Sequence, residues 1–144
     1  MLRRGDYVLC NFPFRESDGP GPSPHIALCA ATGGEGNARF AIVFYTTSQT
    51  DYQGARRLRQ YLFVNKTKAI ELGQKIAFHV DASRIARLPL TSDYFPELED
   101  TTIRVIGRDP ELVTKVEERL RELVAAGFGI AKVDAVQRRR SRPR

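Results

Sequence analysis

Few side chains in this sequence can move a proton near neutral pH. Two histidines are present, His25 and His79, and because imidazole titrates close to neutrality either could act as acid or base. Each lies at or beside a strand-forming run, where a hydrogen-bonded structural histidine is the ordinary occurrence. A second group is Thr46-Thr47-Ser48-Gln49, which closes an apolar stretch. Hydroxyls at the end of a buried strand stand at a sheet rim beside a loop, where sites are commonly built. Threonine also suits strand ends and serine suits turns, so composition alone does not make this a site. Cys10 and Cys29 sit inside apolar runs. Two thiols do not make a zinc site, and they are expected as buried small hydrophobes. The sequence has no Walker-type phosphate loop, no dinucleotide fingerprint and no zinc-peptidase histidine pair. Gly33-Gly34-Glu35-Gly36 precedes a strand, not a helix, and so reads as a turn and not as a phosphate cradle. No metal or cofactor is expected.

The charge is unevenly placed. The 144 residues carry 23 Lys+Arg against 17 Asp+Glu, a net charge of +6. Residues 138–144, RRRSRPR, hold five of those arginines; without them 18 bases face 17 acids. That heptapeptide has the composition of a solvated basic arm, with phosphate contact and no specific role as its two readings. The other concentration runs from Gln53 to Lys75, where Arg56, Arg57, Arg59, Lys66, Lys68 and Lys75 face the single acid Glu71. Tyr52, Tyr61 and Phe63 are interleaved with it and could stack on bases. No apolar run approaches the ~20 residues of a membrane span, and no secretory signal is visible at the N-terminus, so a cytoplasmic protein with no membrane contact is expected.

The elements that must hold these groups follow from hydrophobic period. Strands are expected at 6–12, 25–31, 38–46, 59–64 and 75–80, with a weaker one at 83–90 and an alternating one at 101–107. The third has Phe40, Ile42 and Phe44 on one face and Ala41, Val43 and Tyr45 on the other, which suits the sheet centre. Residues 66–72 fit one helical turn or a hairpin loop. The period then changes. Asp109 is a good N-cap, Pro110 suits the first helical position, and Leu112, Val113, Val116, Leu120, Leu123 and Val124 recur at helical spacing up to Gly127. The reading is α+β: a small, strongly curved antiparallel barrel-like sheet with a C-terminal amphipathic helix. Residues 1–127 form the domain and 128–144 a basic tail.

Arg4-Gly5-Asp6-Tyr7-Val8-Leu9 followed by Phe12-Pro13-Phe14 resembles the opening of the MazF/PemK-family toxins of type II toxin–antitoxin systems. The polar loop 15–23, the strand at 25–31 and the run Phe40–Tyr45 ending in Thr47-Ser48 continue the resemblance. It weakens beyond, where Val80-Asp81-Ala82-Ser83-Arg84-Ile85 and 112–124 resemble the family's later strand and helix. The resemblance implies an SH3-like barrel, a homodimer, a cognate antitoxin, and metal-independent cleavage of single-stranded RNA through its own 2′-hydroxyl. It ties catalysis to the Thr of the Thr-Ser step, here Thr47, and to an Arg at the start of the second strand. That arginine is not retained. Aligning Ala27-Leu28 puts His25 in its position; aligning prolines puts Ser23 there and keeps Pro24. His25 is preferred because it can be cationic and donate a proton. Arg15, Ser48, Gln49, Lys75 and Arg84 are the expected phosphate or base contacts. Two further readings share the fold: a nucleic-acid-binding module that does not cut, and a gyrase-directed toxin.

Overall fold

The computed structural model describes residues 1–14, 19–49 and 58–136. Arg15, Tyr52, Arg56, Arg57 and the arginine-rich segment 138–144 lie outside the described residues. Among the described residues seven strands and two α-helices follow one another as β1 (Asp6–Cys10), β2 (His25–Gly33), β3 (Phe40–Thr47), β4 (Tyr61–Val64), α1 (Lys66–Glu71), β5 (Phe78–Pro89), β6 (Gly107–Arg108), α2 (Pro110–Ala125) and β7 (Ala131–Asp134), with a short 3-10 turn at Gly36–Ala38. The strands form one sheet in the order β4-β5-β3-β2-β1-β6, antiparallel throughout, with β7 added to β5 in parallel. The sheet curls into a half-barrel.

β3 lies between β2 and β5, as its two apolar faces require. Ala41 and Val43 join a core with Val8, Cys10, Ala27 and Leu88, closed by Tyr94 and Phe95 from the following loop. Phe44 turns to the other face and packs with Tyr7, Leu28 and Phe78 beneath α1 and α2. Cys10 and Cys29 are free and buried, and burial pushes the Cys29 thiol up to about 12. α2 begins as its sequence dictates: Asp109 accepts from the Leu112 N–H at 3.2 Å, with Pro110 in the first turn. Val113, Val116 and Leu123 are buried along it, whereas Val124 faces solvent at 59% exposure. Gly127 follows the helix at φ +78°, the left-handed turn that favours glycine.

The Arg-Gly-Asp opening is a structural joint. Arg4 grips Glu117 of α2 with both terminal nitrogens (2.8 and 3.0 Å) and also reaches the Ala30 carbonyl and the Thr114 hydroxyl, each at 3.2 Å. Gly5 has φ +95°, and a Cβ there would stand 2.6 Å from the Pro110 nitrogen. The Asp6 carboxylate accepts from the Arg3 N–H at 2.8 Å and from Arg108 at 3.0 Å.

Three expectations are corrected. The strands expected at 75–80 and 83–90 are one strand, Phe78–Pro89, bent at a bulge: Tyr45 pairs with Asp81 but Phe44 with Ile85. The strand expected at 101–107 shrinks to Gly107–Arg108. Glu99 and Thr102 bridge to each other in a tight turn, and the chain reaches β1 only at Ile106, whose N–H donates to the Tyr7 carbonyl at 2.8 Å. The helix is not terminal, and the basic tail does not begin at residue 128. Residues 131–134 pair with β5, and Val133, Ala135 and Val136 are buried. No described helix is long and apolar enough to cross a membrane.

Candidate functional site

The rim where β2 begins and β3 ends gathers most of the chemistry. Ala27 pairs with Tyr45, and carrying that register two residues to the strand ends sets His25 across from Thr47. Side chains two apart on a strand share a face, and the rings bear this out: His25 and Tyr45 lie 5.2 Å apart, Phe14 and Tyr45 5.3 Å, and Phe14 and His25 6.1 Å edge-on. The Arg84 guanidinium covers this group, 5.4 Å from the Phe14 ring and 5.9 Å from Tyr45. Such an arrangement offers flat faces beside a cation, the pairing that single-stranded nucleic acid uses.

The bulge in β5 is what brings Arg84 here. Ala82, Ser83 and Arg84 are the residues left over between the Asp81 and Ile85 pairs with β3. Asp81, 6% exposed, accepts from the Ser83 N–H at 2.9 Å and from the Ser83 hydroxyl at 2.6 Å. Its other oxygen lies 3.8 Å from Arg84 Nε. The terminal nitrogens of Arg84 make no hydrogen bond among the described residues. Burial pushes the Tyr45 phenol above its ordinary range, with Asp81 adding to this and Arg84 opposing it. The phenol therefore stays protonated near neutral pH and able to donate.

The aromatic face continues along the sheet. Thr47 pairs with His79, which pairs with Phe63 on its other side, while Asp81 pairs with Tyr61. The Tyr61 ring stacks on His79 at 4.8 Å and 18° between planes. His79 is fully buried in this stack.

The expected residues therefore divide. Thr47, His25 and Arg84 share one face of the rim. Thr46 turns the other way, its hydroxyl donating to the Ile26 carbonyl. Ser48 and Lys75 line a groove of about 620 Å³ on that second face, and His25 forms part of its wall. Gln49 is exposed, its N–H donating to the Thr47 hydroxyl at 3.2 Å. Arg15 lies outside the described residues. The sequence reading did not single out Tyr45, Phe14 or Asp81 as site residues. Tyr45 had a signal, since it stands two residues before Thr47 and so shares its face. Asp81 had a fainter one in the Asp-x-Ser spacing of a side-chain-capped turn.

No protein-family model matches the chain, and no curated protein is significantly similar to it. The functional reading therefore rests on the residues and their geometry.

Proposed function

We propose that the protein is a metal-independent endoribonuclease that cuts single-stranded RNA by turning the ribose 2′-hydroxyl on the adjacent phosphorus. The new bond is 2′-O–P and the bond broken is P–O5′, leaving a 2′,3′-cyclic phosphate and a free 5′-hydroxyl. The observation that carries this reading is the cluster of His25, Tyr45, Phe14 and Arg84 on the same rim face as Thr47. The reaction needs a proton acceptor for the 2′-hydroxyl, a donor for the leaving oxygen, and positive or donating groups for the phosphorane charge. His25 takes the 2′-hydroxyl proton and, as imidazolium, returns it to the leaving 5′-oxygen; the Thr47 hydroxyl donates to a phosphate oxygen, Arg84 supplies the cation, and Phe14 and Tyr45 stack on a flanking base. The resemblance of the N-terminal third to the MazF/PemK toxins supports the same reading, and with it an SH3-like barrel, a homodimer, a cognate antitoxin and a cytoplasmic setting.

Purified protein incubated with a long RNA and a chelator tests this. Cutting with cyclic-phosphate ends is expected, with Thr47→Ala about 10²-fold slower and His25→Ala between about 10² and 10⁴-fold slower. RNA left intact from about pH 5 to 8 would sink it. The second reading, a nucleic-acid-binding module that does not cut, is favoured by one feature: His25 stands where the family resemblance calls for a permanently charged arginine. Salt-dependent RNA binding without cleavage selects that reading.

A further inference from the structure

The groove on the second face shares only His25 with the chemistry described above, and it opens at the same strand ends. Thr47 closes β3 and Ser48 is the next residue along the chain. Thr47 belongs to the aromatic face and Ser48 to the groove. An RNA backbone crossing the rim at this step leaves one nucleotide on each side of the sheet.

Resting on the endoribonuclease reading, we propose that this groove is a second nucleotide subsite, which takes the nucleotide across the scissile phosphate from the one stacked on Phe14 and Tyr45. Gln74 reads its base and Lys75 holds its phosphate. Three observations carry this. The Gln74 amide nitrogen is shut off from solvent with no hydrogen-bond partner among the described residues, and Gln74 lines the groove. An amide donor removed from water without an acceptor is costly, and turning the Gln74 side chain into the groove it lines lets a base carbonyl supply one. No acid is among the described residues that line the groove, and Lys75 makes no ion pair there. Ile76, 55% exposed, and Ile106 give an apolar wall against which a base or ribose packs. The volume lies within the range of sites for small organic ligands. An endonuclease gains from gripping both sides of the bond it breaks, because in-line attack requires both flanking groups to be fixed.

The test uses the whole protein and a fluorescein-labelled, mixed-sequence hexaribonucleotide pool, fully 2′-O-methylated so that it binds but is not cut. Fluorescence anisotropy across a salt series reads the affinity. Gln74→Ala is expected to weaken binding about tenfold, and Gln74→Glu, which keeps the side-chain size but loses the donor, at least as much. Lys75→Ala is expected to weaken binding and to lower the salt slope by about 0.7, the contribution of one phosphate on a single strand. Arg84→Ala, on the other face, weakens binding independently. If Arg84→Ala weakens binding while both Gln74 variants and Lys75→Ala bind as the parent, the groove is no subsite, and cutting of unmodified RNA by the parent protein then keeps the endoribonuclease reading. Loss of affinity in Lys75→Ala with none in the Gln74 variants overturns the base-reading role. A parent protein that neither binds the pool nor cuts RNA overturns both.

Discussion

Ser83 donates twice to one oxygen of Asp81, through its hydroxyl at 2.6 Å and its backbone N–H at 2.9 Å. This pair holds the β5 bulge, since the Asp81 carboxylate takes the N–H that a regular ladder would give to the neighbouring strand. Asp81→Ala therefore removes the bulge's brace and the partner of Arg84 together. The expected cost is about 1–3 kcal/mol, read from the urea midpoint, with RNA affinity reduced as far as in Arg84→Ala. Asp81→Asn keeps an acceptor for Ser83 but loses the ion pair, and should fall between parent and Asp81→Ala. Parental stability and affinity in Asp81→Ala would show that the bulge stands without it.

A second prediction concerns pH. The Arg4 guanidinium beside Glu117 holds its carboxyl below the ordinary value of 4.5. A carboxylate depressed in the folded state adds stability that is complete above its unfolded value and fades as pH falls through the lower folded one. The two side chains are 40% and 35% exposed, so solvent and salt screen the pair. Glu117→Gln should cost about 0.5–1 kcal/mol at pH 7. That difference should hold down to about pH 5 and shrink below about 4.5. Denaturant melts of both proteins at several pH values check this, and a constant difference into strong acid would contradict it.

Much of this was legible in the sequence. The two-faced run 40–45 announced a central strand, and Asp109-Pro110 with its helical spacing announced α2, because local chemistry and burial agree there. The bend in β5 was not legible. Asp81-Ala82-Ser83 reads as a break between two strands, and only the tertiary pairing shows one strand running through it, with the register passing from Tyr45–Asp81 to Phe44–Ile85. The same holds for 101–107, whose alternation is real but where the Glu99–Thr102 bridge keeps the chain off β1 until Ile106. Of the site, Thr47, His25 and Arg84 could be named from residue type and resemblance. Their aromatic surroundings depend on strand register, and one residue of slip would turn Tyr45 to the other face.

Tyr7 gives a third prediction. Its ring is fully buried and packs edge-on against Phe78 at 5.6 Å, while its hydroxyl has no hydrogen-bond partner among the described residues. A buried hydroxyl without a partner destabilises the fold relative to a hydrogen atom in its place. Tyr7→Phe should therefore be neutral or raise stability by up to about 1 kcal/mol. A clear loss of stability on thermal melting would reveal an acceptor for this hydroxyl.

The last prediction concerns residues whose composition suggested a tail. Ala131–Asp134 runs parallel to β5, with Val133 opposite Ala86 and only 6% exposed within the first core. Arg87 and Asp134 close the register with two hydrogen bonds, at 2.8 and 3.2 Å. A carboxylate at position 133 would be driven into an apolar core with no partner, so Val133→Asp should cost about 3 kcal/mol or more. Lys132→Asp, one residue away on an exposed position, should stay within about 0.5 kcal/mol of the parent. If β7 were an unattached tail, both substitutions would leave the melting temperature where it is. The contrast between two neighbouring positions also separates loss of packing from any general effect of added negative charge.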